Sequence, residues 1–95
     1  MSKLTIVAHI EANKDKISFI KSELEKLIEA TRKEEGCLQY DLHQDNEQPE
    51  KFLFFENWEN RELWQVHMQS KHLQGFVKSS EGSLKSLVIQ EMSKV

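Results

Sequence analysis

The side chains of this 95-residue sequence best suited to moving protons near neutral pH are its four histidines, His9, His43, His67 and His72. An unperturbed imidazole titrates near ~6.5, so it can take or give a proton without extreme perturbation. His9 and His67 are the first candidates for catalysis. His9 shares a strand face with Thr5 and Val7, and His67 follows Leu63 and Trp64 by one helical turn. The alternatives are structural: a buried, hydrogen-bonded histidine at position 9 and a half-exposed helix residue at position 67. Glu56 stands among Phe54, Phe55 and Trp58. A carboxyl buried there would have a raised pKa and could relay protons, or it could pair with a histidine or backbone group of a second chain. His43 and Asp41 share a strand face and read as a structural pair near a sheet edge.

Tyr40, Phe54, Trp58, Trp64 and Phe76 could wall a pocket for a planar substrate, and at strand and helix spacing they could equally be core. Trp64 lies with His67, Met68 and Lys71 on a helix face distinct from that of Leu63, Val66 and Ser70. That placement puts Trp64 and Met68 at a pocket or at an interface. No metal site is expected, because His67 and His72 are five apart, whereas ligands on one helix come at i, i+3 or i, i+4. Cys37 has no partner motif, the three glycines form no phosphate loop, and nothing resembles a nucleophile elbow.

The elements that must position these groups follow from periodicity. Lys3–Glu11 is β-branched and reads as a strand. Lys14–Glu35 places Ile17, Ile20, Leu24, Leu27, Ile28 and Thr31 on one helical face, with Lys21, Glu25, Glu29 and Arg32 opposite. Asn13 is a candidate N-cap, Asp15 suits the positive end of the helix, and Gly36 is placed to end it. Cys37–Asp45 alternates Leu38, Tyr40 and Leu42 against Gln39, Asp41 and His43. Residues 46–50, with the only proline, form a hairpin turn leading to a strand over Lys51–Trp58. Asn60 caps a helix over Arg61–Ser70, a further helical stretch covers Lys71–Ser80, and after Gly82 the last strand is Leu84–Met92.

The order β-α-β-β-α-β gives an α+β, ferredoxin-like fold: a four-stranded antiparallel sheet with helices on one face, as one domain over residues 1–95. The sheet is apolar on both sides. Leu4, Ile6, Ala8 and Ile10 oppose Thr5, Val7 and His9; Phe52, Phe54 and Trp58 oppose Leu53 and Phe55; Leu87 and Ile89 oppose Val88 and Met92. A sheet with one wet face should alternate cleanly. The chain's helices can cover one face only, so the expected partner is a second copy, packed sheet to sheet as a homodimer.

A net charge of −3 and a pI near 5.8, with no basic block, argue against nucleic acid as a partner. The longest apolar run, Phe52–Phe55, is far short of the ~20 residues that span a bilayer, so no membrane association is expected. The start of the chain lacks the apolar stretch of a signal peptide. A lone cysteine fits a reducing compartment, and a cytoplasmic location is expected.

Three stretches carry a resemblance: Ile6-Val7-Ala8-His9; Glu35-Gly36-Cys37-Leu38-Gln39-Tyr40-Asp41; and Phe54 to Leu63 followed by His67-Met68-Gln69-Ser70-Lys71-His72. The chain resembles, over essentially its whole length, the antibiotic biosynthesis monooxygenase (ABM) domain family of dimeric α/β barrels, which includes quinol monooxygenases and autoinducer-2-processing proteins. The resemblance implies a homodimer with a pocket between helices and sheet in each protomer. It also implies oxidation of a small quinol, phenol or enolisable compound by O2 without metal or flavin, and so no cofactor. His9 and His67 would orient and deprotonate the substrate. A haem-degrading branch of the fold uses Asn, Trp and His where this chain has His9, His67 and Val77, so haem chemistry is not implied. Two other functions fit the fold: a non-catalytic dimer binding a small metabolite, and an isomerase or processing enzyme for a phosphorylated signal, with Lys71 or Lys78 as phosphate contacts.

Overall fold

The computed structural model describes residues 3–95. Met1 and Ser2, part of the N-terminal stretch read for a signal peptide, lie outside the described residues. The elements follow the expected order: β1 (Leu4–Ala12), α1 (Ile17–Arg32), β2 (Cys37–Gln44), β3 (Lys51–Trp58), α2 (Arg61–Met68), α3 (Lys71–Ser79) and β4 (Leu84–Met92). The strands form one antiparallel sheet in the order β2-β3-β1-β4. Among the described residues no helix is long and apolar enough to cross a membrane.

Alternation sorts the strand residues as their sequence implies. Leu4, Ile6, Ala8, Ile10 and Ala12 of β1 turn to the helix side, with Phe52, Phe54, Glu56 and Trp58 of β3 beside them, and all are buried. Ile20, Leu24 and Leu27 of α1 pack onto this surface with Tyr40 and Phe76, giving the main core. Leu4, Ile6, Trp58 and Trp64 form a second cluster, and Cys37 touches both. Among the described residues no helix lies over the outer face. Val7, Leu53 and Phe55 are half-buried there, while Val88 and Met92 are 52% and 43% exposed. The edge strand β4 is bare on its inner side too, with Leu87 and Ile89 also exposed.

Three local expectations need correction. The first helix does not run from Lys14: a 3-10 turn over Lys14–Lys16 precedes α1, and Asn13 makes no side-chain cap. Its Nδ2 instead donates to the Gly82 carbonyl (3.1 Å), tying the β1 exit to the turn before β4. Leu38 does not face inward with Tyr40. Cys37 pairs with Trp58 but Gln39 with Asn57, so Leu38 is the extra residue of a bulge and is pushed into solvent at 48% exposure. The α1–β2 turn needs Gly36, whose φ is +86°; a Cβ there would also stand 2.8 Å from Leu63 Cβ on α2. Asn60 does cap α2, its Oδ1 accepting from Leu63 N–H at 2.9 Å.

Candidate functional site

Between the sheet and the α2–α3 segment lies a cavity of ≈ 70 Å³. Its walls are apolar: Ile6, Ala8 and Ile10 from β1, Leu24 and Leu27 from α1, and the aromatic and Met side chains of β3, α2 and α3. The exposed Val77, Leu87 and Ile89 form its mouth, on the side of the bare edge strand. Among the described residues only three polar side chains line it: Tyr40, Glu56 and His67.

Strand parity delivers two of them. Glu56 lies across from Tyr40 on β2 and from Ile6 on β1, so the carboxyl and the phenol are cross-strand neighbours on the inner face. Glu56 is 4% exposed, and its Oε1 accepts a hydrogen bond from Trp58 Nε1–H at 2.9 Å. Burial pushes its pKa up to about 7, with the Trp58 hydrogen bond acting in the opposite sense. Phe54 stacks on Tyr40 with ring centroids 4.3 Å apart. Burial, and next the Glu56 carboxylate, hold the Tyr40 phenol far above its ordinary range, so it stays protonated.

His67 comes from the last turn of α2, and it is 2% exposed rather than half-exposed. Its ring lies 4.9 Å from that of Trp58 and 5.6 Å, edge-on, from that of Tyr40. Its Nδ1 is 2.6 Å from Glu34 Oε2, and His72 Nε2 is 2.8 Å from the same oxygen. A carboxylate can only accept, so Nδ1 carries the proton in this bond and Nε2 is left as the basic nitrogen of the neutral ring. The ring makes no other hydrogen bond among the described residues. Burial pulls the His67 pKa below that of a free imidazole, and the Glu34 hydrogen bond works against that shift.

The structure therefore brings Tyr40, Phe54, Glu56, Trp64, His67, Met68 and Phe76 around one cavity, with Trp58 behind Glu56 as its hydrogen-bond donor. It does not bring His9 to them. His9 is exposed on the outer face, its Nε2 3.0 Å from Gln90 Oε1, because odd-numbered β1 residues turn away from the helices. It is neither buried nor a neighbour of the cavity. Lys71 and Lys78 are exposed and outside the lining, which holds no cation for a phosphate.

Sequence spacing alone does not bring Glu34 and His72 to this site, where both meet the His67 cluster. The inward stripe Ile20, Leu24, Leu27, Thr31 reaches Glu34 if carried one step further, and that was the available signal. His72 approaches because the helical segment breaks at Gln69–Ser70. Ser70 caps α3, so α2 and α3 are two short helices and the i, i+5 spacing no longer separates the histidines.

Comparison with known proteins agrees with this architecture. The family model described as antibiotic biosynthesis monooxygenase matches residues 3–79. A Bacillus subtilis protein named "Putative monooxygenase YcnE" is 31% identical over 74 residues, covering 78% of this chain and 78% of that one. An uncharacterised protein of Synechocystis, sll1783, is 31% identical over 77 residues, which is 81% of this chain; the match spans about half, 52%, of that relative's length. Among solved structures, PA3566 from Pseudomonas aeruginosa superposes with a TM-score of 0.96 at 30% identity, covering 100% of this chain and 96% of that one. A crystal structure titled antibiotic biosynthesis monooxygenase gives a TM-score of 0.91 at 27% identity, with 97% and 98% covered. On its sequence and on its fold, the chain belongs to the antibiotic biosynthesis monooxygenase family.

Proposed function

We propose that the chain is a cofactor-independent monooxygenase that oxidises a small quinol, phenol or enolisable compound with O2 in this cavity. The observation that carries the reading is the Glu34–His67 hydrogen bond of 2.6 Å. It fixes the imidazole tautomer and gives an otherwise apolar cavity one basic nitrogen, His67 Nε2.

Triplet O2 reacts slowly with closed-shell molecules and much faster with anions that can give up an electron. In the proposed sequence His67 Nε2 takes the proton of a substrate hydroxyl, the anion passes an electron to O2, and the two radicals join as a carbon-bound peroxide. The O–O bond then breaks. As it does, the peroxide-bearing carbon gives up its remaining hydrogen as a proton to Glu56, so that one oxygen stays as the new carbonyl and the other leaves as water, with the substrate supplying every electron. The protons for that water return from His67 and from Glu56, which is poised near neutrality. Apolar walls keep bulk water from the anion. The enclosed volume of ≈ 70 Å³ is about half the ~150 Å³ that holds benzene, so a planar ring would extend through the mouth past Val77, Leu87 and Ile89. His9 has no part in this chemistry.

The test is O2 uptake by chelator-treated protein across a panel of hydroquinones and phenols. Turnover is expected, and His67→Gln is expected to lower kcat by roughly 10²–10⁴-fold with an unchanged circular dichroism spectrum. Equal turnover by wild type and His67→Gln would remove the base assignment. Thermal stabilisation by these compounds with no O2 uptake would make the chain a binding module instead.

We infer that a second copy of this chain covers the outer sheet face. Val7, Leu53, Phe55, Val88 and Met92 form an apolar surface there, and no element among the described residues covers it. Two such sheets packed face to face would remove both surfaces from water at once.

A further inference from the structure

Behind the cavity, three donors converge from three segments: Glu34 from the turn after α1, His67 from the end of α2 and His72 from the first turn of α3. Glu34 Oε2 stands 2.6 Å from His67 Nδ1 and 2.8 Å from His72 Nε2, and the three ligand atoms lie within 4.8 Å of one another. No lysine or arginine pairs with Glu34 among the described residues, so its charge is answered only by the two imidazoles. His67 is sealed in the interior, but the His72 side chain is 25% exposed and borders an open groove with Glu23, Lys26 and Gly75. Ser70 Oγ lies 3.3 Å from His72 Nε2, on the same side of the cluster.

We propose that Glu34, His67 and His72 form a binding site for a late first-row divalent cation, with Zn²⁺ as the probe. Two imidazole nitrogens and one carboxylate oxygen are a borderline donor set suited to such ions, and three protein ligands leave a position for water. At Zn–N and Zn–O distances of about 2.0–2.2 Å, tetrahedral ligands stand roughly 3.3 Å apart. The two short contacts, 2.6 and 2.8 Å, must open by roughly half an ångström or slightly more to reach that spacing, a shift that rotation of the partly exposed Glu34 and His72 side chains can supply. The ring hydrogens now directed at Glu34 Oε2 move to the other ring nitrogens, so both imidazoles stay neutral and the Glu34 carboxylate offsets one of the ion's two charges. The spacing of His67 and His72 would forbid this site on one continuous helix; the break at Gln69–Ser70 makes it.

One consequence rests on the proposed function. A cation on His67 Nδ1 moves the ring's hydrogen from Nδ1 to Nε2, so the nitrogen that faces the reaction becomes a donor. The ion is therefore a brake on turnover and not a cofactor for it.

The site is tested without reference to activity. Chelator-treated protein is titrated with Zn²⁺ by calorimetry, and with Co²⁺ by absorption, where bound cobalt shows its ligand-field bands. One ion per chain is expected, with affinity reduced at least about tenfold in both His72→Ala and Glu34→Gln. His43→Ala, which removes an exposed histidine from the outer face, is expected to bind as wild type does. No binding, binding unchanged in His72→Ala, or binding lost in His43→Ala would each overturn the proposal. Added Zn²⁺ then separates the two readings: an active protein that binds no zinc refutes the metal site alone, and a zinc-binding protein without turnover in chelator refutes the oxygenase alone.

Discussion

Replacing Glu56 by Gln should change the pH dependence of stability in a way that isolates one buried carboxyl. Burial raises Glu56 from its ordinary 4.5 to about 7. The folded state therefore holds this proton more tightly than the unfolded chain does, and stability on this account is greatest below pH 4.5 and is lost as pH rises to about 7. At ~1.4 kcal/mol per pH unit the full difference is about 3 kcal/mol. Glu56→Gln has nothing to ionise, and its amide oxygen can still accept from Trp58 Nε1–H. Its NH2 group brings its own requirement, but one that does not vary with pH, so the quantity to read is the slope. Urea denaturation of both proteins at one fixed protein concentration, from pH 4.5 to 8, gives the difference directly. Wild type should lose about 3 kcal/mol relative to the variant over that range. His67 acts in the opposite direction, since a depressed imidazole pKa removes stability as pH falls below 6.5; it is present in both proteins and cancels. A difference that stays constant with pH, or that reverses sign, would refute the claim that Glu56 sits in a dry, unpaired environment.

Other expectations follow from the same geometry. Trp58→Phe removes the one hydrogen bond that holds the Glu56 pKa down, so the pH at which Glu56 titrates, followed by carboxyl NMR, should move upward; a downward move contradicts the assignment. Gly36→Ala forces a side chain into a positive φ and against Leu63, and should destabilise by more than about 1 kcal/mol in denaturant titration. Asn60→Ala deletes the α2 cap and should cost about 1 kcal/mol by the same measurement. Val88→Glu places a charge on the exposed outer face and should convert the expected dimer to monomer in sedimentation; a wild-type protein that is monomeric at micromolar concentration removes the inference of sheet-to-sheet pairing.

The one-dimensional pattern determined which residues share a face and little about what each face meets. Period-two alternation set Phe52, Phe54, Glu56 and Trp58 together on β3 and Thr5, Val7 and His9 together on β1, and the structure keeps both sets. The stripe on α1 likewise became the buried stripe, and Asn60 became the cap. Those features depend on local geometry, which a short window of sequence contains. His9 was a different matter, because only the packing of α1, α2 and α3 on one side of the sheet decides that even-numbered β1 residues meet the cavity and odd-numbered ones do not. Leu38 was lost to a bulge, which shifts parity and arises from how two strands pair rather than from either alone. The Glu34–His67–His72 cluster joins positions 33 and 38 residues apart in the chain. It depends on the turn that ends α1 coming to rest against the break between α2 and α3, a contact that no spacing rule within one helix can express.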